Sequence, residues 1–183
     1  MSGPLEPREY TRGYDAVNAV KRAAEAALGS LKNPCACFDI DHTVFVEVGE
    51  KRQAGCDLYN WLCETHPHVR IAFVTARDES PAARREAISD LKSVGCWRKR
   101  HTLMLMPPDT RTVCQVSAWK SRARDHLRGS EKLLMTVGDT WWDQIHEYSR
   151  AGKSVMSTQR DPSKFWVGTA NADQAVVSLK LPK

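Results

Sequence analysis

The chain has no apolar run long enough to span a bilayer and no early apolar segment of the kind that directs secretion. Its opening residues, Met1 to Arg12, are polar and include Pro4 and Pro7. A cytoplasmic, intracellular protein with no membrane partner is the expectation. There is no Cys-x-x-Cys pair among Cys35, Cys37, Cys56, Cys63, Cys96 and Cys114, which argues against a zinc site. Most of these cysteines sit in apolar contexts, as buried free thiols in a reducing compartment do. Internal repeats, low-complexity blocks and linkers are also missing. Residues 1–183 therefore read as one domain, with residues 1–13 as a flexible lead. Charge of one sign is not in large excess: the net charge of +5 suits a phosphorylated or polyanionic ligand without requiring one.

What is present is an alternation of short apolar runs with amphipathic stretches. Tyr14 to Leu28 carries Val17, Val20, Ala24, Ala27 and Leu28 on one helical face and stops at Gly29. Pro34 to Phe38 is a short apolar run that reads as a buried strand. Val44 to Val48 alternates and meets Gly49, which predicts a small hairpin or flap. Asp57 to Thr65 reads as a short helix, and Val69 to Val74 as the next strand. Ser80-Pro81 opens a helix that Gly95 closes, because proline at the first turn lacks the amide that would be orphaned there. His101 to Met106, the helix Thr112 to Leu127 and the strand Lys132 to Val137 follow. A helical turn through Ile145 and Tyr148 and strands near Ser154–Met156 and Ala175–Leu179 complete the reading. The expected fold is α/β and Rossmann-like, a parallel sheet with helices on both faces.

In such sheets the ligand crevice lies beyond the carboxyl ends of the strands. The residues at those ends are Asp39 and Asp41, Thr75, and Asp139 with Asp143. Acids at a buried strand end are costly unless neutralised, and hard carboxylate oxygens are what magnesium prefers. On its own, the Asp39-x-Asp41 pair fits a solvated loop equally well. Thr75 adds a short hydroxyl suited to a phosphate oxygen, and Lys120 lies on the helix before the fourth strand, within reach of the crevice. Together these suit phosphoryl transfer, in which positioning and charge neutralisation dominate.

The chain resembles the haloacid dehalogenase superfamily of aspartate-nucleophile phosphatases. Asp39-x-Asp41-x-Thr43 is similar to its first motif, Thr75 to its second, Lys120 to its third and Gly138-Asp139-x-x-x-Asp143 to its fourth. Within that superfamily it most resembles the acid phosphatase branch, which includes plant acid phosphatases and vegetative storage proteins. Phe38 to Asp41, Val74 to Arg77, Asp90-Leu91-Lys92, Trp119-Lys120 and Gly138-Asp139-x-Trp141 carry that likeness. The resemblance implies a magnesium-dependent phosphomonoester phosphatase with Asp39 as the nucleophile that forms an aspartyl-phosphate. Asp41 is then the general acid and base. Asp39, Asp139 and the backbone carbonyl of Asp41 hold the ion with Asp143 in support, and Thr75 and Lys120 hold the phosphoryl oxygens. Thr43, Ala76, His42 and Trp142 join Thr75 and Lys120 as candidate substrate contacts.

His42 departs from the pattern, since that branch usually carries an acid there. It either packs in the flap or touches the leaving group. The spans 44–56 and 75–120 leave no room for a cap domain, so an open, capless site is expected. Its substrate is a small phosphomonoester or a macromolecular end. The stretch Trp97 to His101 reads as a solvated basic loop, with a nucleic-acid patch as the alternative. Arg77 either pairs with an acid or reaches substrate. Two other functions share the same fold: a catalytically weak binding or storage protein, and a 3′-phosphatase of nucleic-acid ends. Oligomeric state is open.

Overall fold

The structure, a computed structural model, describes residues 7–110, 112–144, 161–169 and 174–182, with the backbone alone at Trp142. In chain order these residues form β1 (Arg8–Tyr10), α1 (Gly13–Leu28), β2 (Cys35–Phe38), β3 (Phe45–Glu47), β4 (Glu50–Lys51) and α2 (Gln53–Thr65). There follow β5 (Arg70–Asp78), α3 (Pro81–Ser93), β6 (Thr102–Met106), α4 (Val113–Arg128) and β7 (Leu133–Gly138). A 3-10 turn (Trp141–Asp143), β8 (Phe165–Gly168) and β9 (Ala175–Lys180) complete the set. The anticipated helical turn at Ile145–Tyr148 and the strand near Ser154–Met156 lie outside the described residues.

Seven strands make one sheet in the order β1-β8-β9-β7-β2-β5-β6. β9, β7, β2, β5 and β6 are parallel, whereas at one edge β8 runs antiparallel to β9 and β1 antiparallel to β8. The sheet is thus mostly, not wholly, parallel. The chain moves outward from β2 to β5 and β6, then returns to β7 on the other side. Right-handed crossovers then require α4 to lie on the opposite face from α2 and α3. The packing agrees. Ala16, Val20, Leu58, Leu62, Ala87 and Leu91 of α1, α2 and α3 share one core with Ala36 and Phe38. Trp119, Ala123 and Leu127 of α4 share the other with Cys35 and Cys37. The alternation of β2 thus sends its residues to two different layers. Full burial of a Phe or Leu such as Phe38, Phe73 or Leu91 contributes about 1.5–3 kcal/mol, more than the roughly 1 kcal/mol of a net hydrogen bond. The two apolar layers therefore set where the strand ends fall.

Local signals fix the helix starts. The Ser80 side chain accepts from the Ala83 amide at 3.0 Å, with Pro81 opening the first turn. Thr112 and Gln115 form a reciprocal capping box at the start of α4. Three details differ from the sequence reading. Residues 8–10 of the supposed flexible lead pair with β8, a partner remote in sequence and itself not anticipated. Three exposed or half-exposed residues carry no periodic signal. α2 begins at Gln53 rather than Asp57, and Gly55 in its first turn lies beneath the Thr43 carbonyl, where a Cβ would collide with it. β5 extends past Thr75 to Asp78, with a register shift against β6 between them.

β3 and β4 form a two-stranded hairpin apart from the main sheet, the anticipated flap. Between Thr75 and Lys120 the described residues hold only the end of β5, α3, β6 and the first half of α4. Among the described residues no separate cap is built there. Cys35, Cys37, Cys56, Cys63 and Cys96 are buried free thiols, and Cys114 is half-buried. Among the described residues no helix is long and apolar enough to cross a membrane.

The basic stretch joins α3 to the amino end of β6, on the opposite edge of the sheet from Asp39. Its ends belong to the core: Trp97 packs edge-on against His101 at 5.8 Å, and Tyr59 does so at 5.4 Å. The His101 Nδ1 accepts from the Arg98 amide at 3.0 Å, and its Nε2 has no partner. Burial, reinforced by Arg100 and Arg98, pushes the His101 pKa from 6.5 down to about 4. A depressed histidine contributes stability that is complete above its unfolded pKa and is lost as pH falls toward its folded one. Stability to urea is therefore expected to decline as pH falls from 6.5 to 4 in the wild type, with a shallower decline in His101→Phe.

Candidate active site

Asp39 is the first residue past β2, and its amide still donates to the Val137 carbonyl at 2.9 Å. The backbone then turns sharply, with the amides of Thr43, Val44 and Phe45 all directed at the Ile40 carbonyl at 3.0–3.1 Å. His42 takes φ 56°, a left-handed conformation that costs a non-glycine residue about 1–2 kcal/mol. It is held there: its amide donates to the Phe45 carbonyl at 2.7 Å, and its carbonyl accepts from Arg52 Nε at 3.2 Å. The His42 side chain is exposed, so it does not pack in the flap. Thr43 is fully buried beneath the start of α2, with its hydroxyl unpartnered.

Lys120 brings two distant loops together. It is 1% exposed, and its Nζ donates to Asp39 Oδ1 at 2.8 Å and to Asp143 Oδ1. The other Asp143 oxygen accepts from the Thr140 amide at 3.0 Å and from the Thr140 hydroxyl at 2.6 Å. Gly138 makes this possible, since any side chain there would run into the Asp143 carboxylate. Trp141, edge-on to Trp166 at 5.2 Å, anchors the same turn in the core.

Asp39, Asp139 and Asp143 are all buried, and each offers an oxygen within 4.8 Å of the others. Burial pushes the Asp39 pKa up to about 8; Lys120 opposes this, while Asp143 and Asp139 reinforce it. Burial works against the charge on Lys120, but Asp143 and Asp39 outweigh it and hold its pKa above the usual lysine value. Lys120 is bonded to two of the three carboxylates, and the oxygens gathered there could hold a divalent cation. Hard carboxylate oxygens with surplus negative charge fit magnesium.

Asp41 belongs to a second network. Arg77 holds it with both nitrogens of a fork, Nη2 to Oδ1 at 2.6 Å and Nε to Oδ2 at 3.0 Å. Arg77 Nη1 in turn donates to Asp90 Oδ2 at 2.6 Å, and Phe45 lies under the guanidinium at 5.7 Å. Thr75, fully buried on β5, accepts from the Arg77 amide through Oγ1 at 3.3 Å. Ala76 sits in the register shift that re-aims Arg77. Arg77 is thus an ion-pairing residue, which answers the choice left open by sequence.

The structure therefore gathers Asp39, Lys120, Asp139 and Asp143 in one cluster and places Asp41, Thr75 and Arg77 in a neighbouring one. The Asp41 carboxylate is not part of the metal-type cluster. Trp142 lies in the 3-10 turn, and its side chain falls outside the described residues. Sequence reasoning missed the Arg77–Asp90 support and the Arg52 tie to His42. The spacing of Asp90 nine residues into α3 gave no hint of its partner. No protein-family model, curated protein or solved structure matches the chain.

Lys120→Met removes the ammonium that, among the described residues, is bonded to Asp39 and Asp143, and leaves the carboxylates buried. Denaturation in the presence of chelator is expected to show a loss of about 3–5 kcal/mol. An unchanged stability would mean the carboxylates are neutral without it.

Proposed function

We propose that the chain is a magnesium-dependent, capless phosphomonoesterase of the haloacid dehalogenase type, with Asp39 as nucleophile. The observation that carries this reading is Asp39 at the end of the central strand, held by a buried lysine among two further buried carboxylates. A protein that only binds or stores gains nothing from such a cluster, which costs stability unless it is fully compensated.

In this reading an Asp39 oxygen attacks phosphorus, the bond to the leaving oxygen breaks, and Asp41 gives that oxygen a proton. Asp41 then takes a proton from water, which attacks the aspartyl-phosphate and frees inorganic phosphate. Arg77, braced by Asp90, fixes the direction of the Asp41 carboxyl. Lys120 holds Asp39 in place and sets a positive charge beside the incoming phosphoryl group. Asp39, Asp139 and the Asp41 backbone carbonyl would hold magnesium, with Asp143 behind them, and the ion would offset repulsion between an anionic nucleophile and an anionic substrate. The basic loop at 98–100 lies at the far edge of the sheet and lends no support to a nucleic-acid end as substrate.

Hydrolysis of a generic aryl phosphate is expected with magnesium, to vanish with chelator, and to fall by at least about 10³-fold in Asp39→Asn, in keeping with loss of a nucleophile. Activity equal in both proteins would refute the assignment of Asp39.

A further inference from the structure

The helices run back from the carboxyl ends of the strands, so the connections after α1, α2, α3 and α4 lead into the amino ends of β2, β5, β6 and β7. With one flanking residue on each side, these connections (28–35, 65–70, 93–102 and 128–133) hold seven lysines and arginines and a single acid, Glu131. That excess of six positive charges is larger than the net +5 of the whole chain. The carboxyl rim gathers the opposite sign, in Asp39, Asp41, Asp78, Glu79, Asp139 and Asp143. Such a division of charge steers a polyanion to the amino rim and away from the aspartates.

The positive charge is not neutralised inside the protein. Glu131 accepts instead from the Lys32 and Asn33 amides, through Oε2 at 3.0 and 3.2 Å. Arg70 Nη2 donates to the Leu127 carbonyl and Arg100 Nη1 to the Pro67 carbonyl, each at 3.0 Å. Those bonds fix the two guanidiniums against neighbouring segments and leave their charge intact. Arg128 is paired with Asp125 at 2.8 Å. Among the described residues, however, Lys32, Arg70, Arg98, Lys99, Arg100 and Lys132 form no ion pair, and all six are exposed. β7, β2, β5 and β6 are neighbours in that order, so the row of cations spans three strand spacings, ~14 Å. That is room for about four phosphates at the roughly 3.4 Å per nucleotide of a stacked strand.

Rings stand beside the row. His66 and His68 flank Pro67, whose carbonyl Arg100 holds. Trp61, His66 and His68 form an edge-to-face chain with centroids 4.7 and 6.1 Å apart, and His68 at its end is exposed. A cavity of about 490 Å³ opens between the starts of β5 and β7, lined by Arg70, His126, Arg128 and Ser130 among others. Cations beside exposed rings suit a chain of phosphates that carries bases, since the charge meets the backbone and a ring meets a base face. A membrane surface calls for apolar side chains to insert. Among the described residues the exposed large apolar ones are Tyr14, Val48 and Val113, at the start of α1, in the flap and at the start of α4, all on the carboxyl rim. We infer that the amino rim of the sheet is a binding surface for single-stranded nucleic acid. Its phosphates lie along the row from Lys132 to Arg98, and a base stacks on His68. The surface is remote from Asp39, and the substrate argued above does not depend on it.

The test is fluorescence anisotropy of a labelled single-stranded oligonucleotide of about 12 nucleotides on the full chain, across about 0.05–0.2 M salt. The wild type is expected to bind, with log K falling linearly against log salt. Arg98→Gln/Lys99→Gln and Lys32→Gln/Lys132→Gln change the row on either side of Arg70. Each pair is expected to weaken binding about tenfold or more at about 0.1 M salt and to reduce the slope by about 1.4, the share of two phosphate contacts. His68→Ala is expected to weaken binding about fivefold or more with the slope unchanged. Lys51→Gln, which removes an exposed cation of the flap on the other rim, is expected to bind as the wild type does. Each substituted side chain is exposed, and circular dichroism checks that the variants fold. No binding by the wild type, or a loss in Lys51→Gln as large as in the paired variants, would overturn the surface. Heparin bound as tightly as the oligonucleotide, with His68→Ala neutral, would make the ligand any polyanion, acidic proteins included, and overturn the nucleic-acid assignment. Sedimentation with phosphatidylserine vesicles without oligonucleotide binding would point to a membrane and overturn it as well.

Discussion

The Lys120 ammonium lies between two buried carboxylates, with a third close by, at the point where the central strands end. Such an arrangement cannot be left half made. A lone charge buried there would cost several kcal/mol, and breaking a buried pair by deleting one partner usually costs about 3–5 kcal/mol. The surrounding structure is shaped by that demand. α4 crosses to the opposite face of the sheet from α1, α2 and α3, and so delivers Lys120 from a direction the other helices do not occupy. Gly138 leaves the space that Asp143 fills, and Thr140 binds the carboxylate oxygen that Lys120 does not.

The second carboxylate of the first motif is treated differently. Asp41 is partly exposed and is held by a guanidinium, not by the buried ammonium. Arg77 is itself fixed by Asp90 from α3 and backed by the Phe45 ring of the flap. The two aspartates, one residue apart, thus have separate supports from opposite faces of the sheet. In the proposed reaction that separation would let one serve as a nucleophile and the other handle a proton, because each is positioned independently of the other.

The alternation of apolar runs and amphipathic stretches made the parallel core legible, and the rule that crevices lie at strand ends brought the four aspartates and Thr75 to one rim before any coordinates. Lys120 was legible too, since its place on the helix before β7 put its charge within reach of the same crevice. What could not be read were features set by contacts between distant segments. β1 forms because β8 offers an edge, not because Arg8–Tyr10 favours a strand. Gly55 lies within α2 at a point where only a hydrogen fits beneath the Thr43 carbonyl. The Arg77–Asp90 pair joins residues thirteen apart on different elements, where no periodicity applies. The exposed His42 side chain follows from a left-handed turn, which nothing in the residue pattern places at a histidine.

The central claim is that phosphate passes through Asp39, and the direct measurement is to trap it. The full chain with magnesium is mixed with phosphorus-labelled aryl phosphate, quenched in acid within a single turnover, and digested for mass spectrometry. The account predicts label on the peptide containing Asp39, released by hydroxylamine as an acyl phosphate must be, and absent from Asp39→Asn. Turnover without any protein-bound phosphate, or label on a residue other than Asp39, would contradict it.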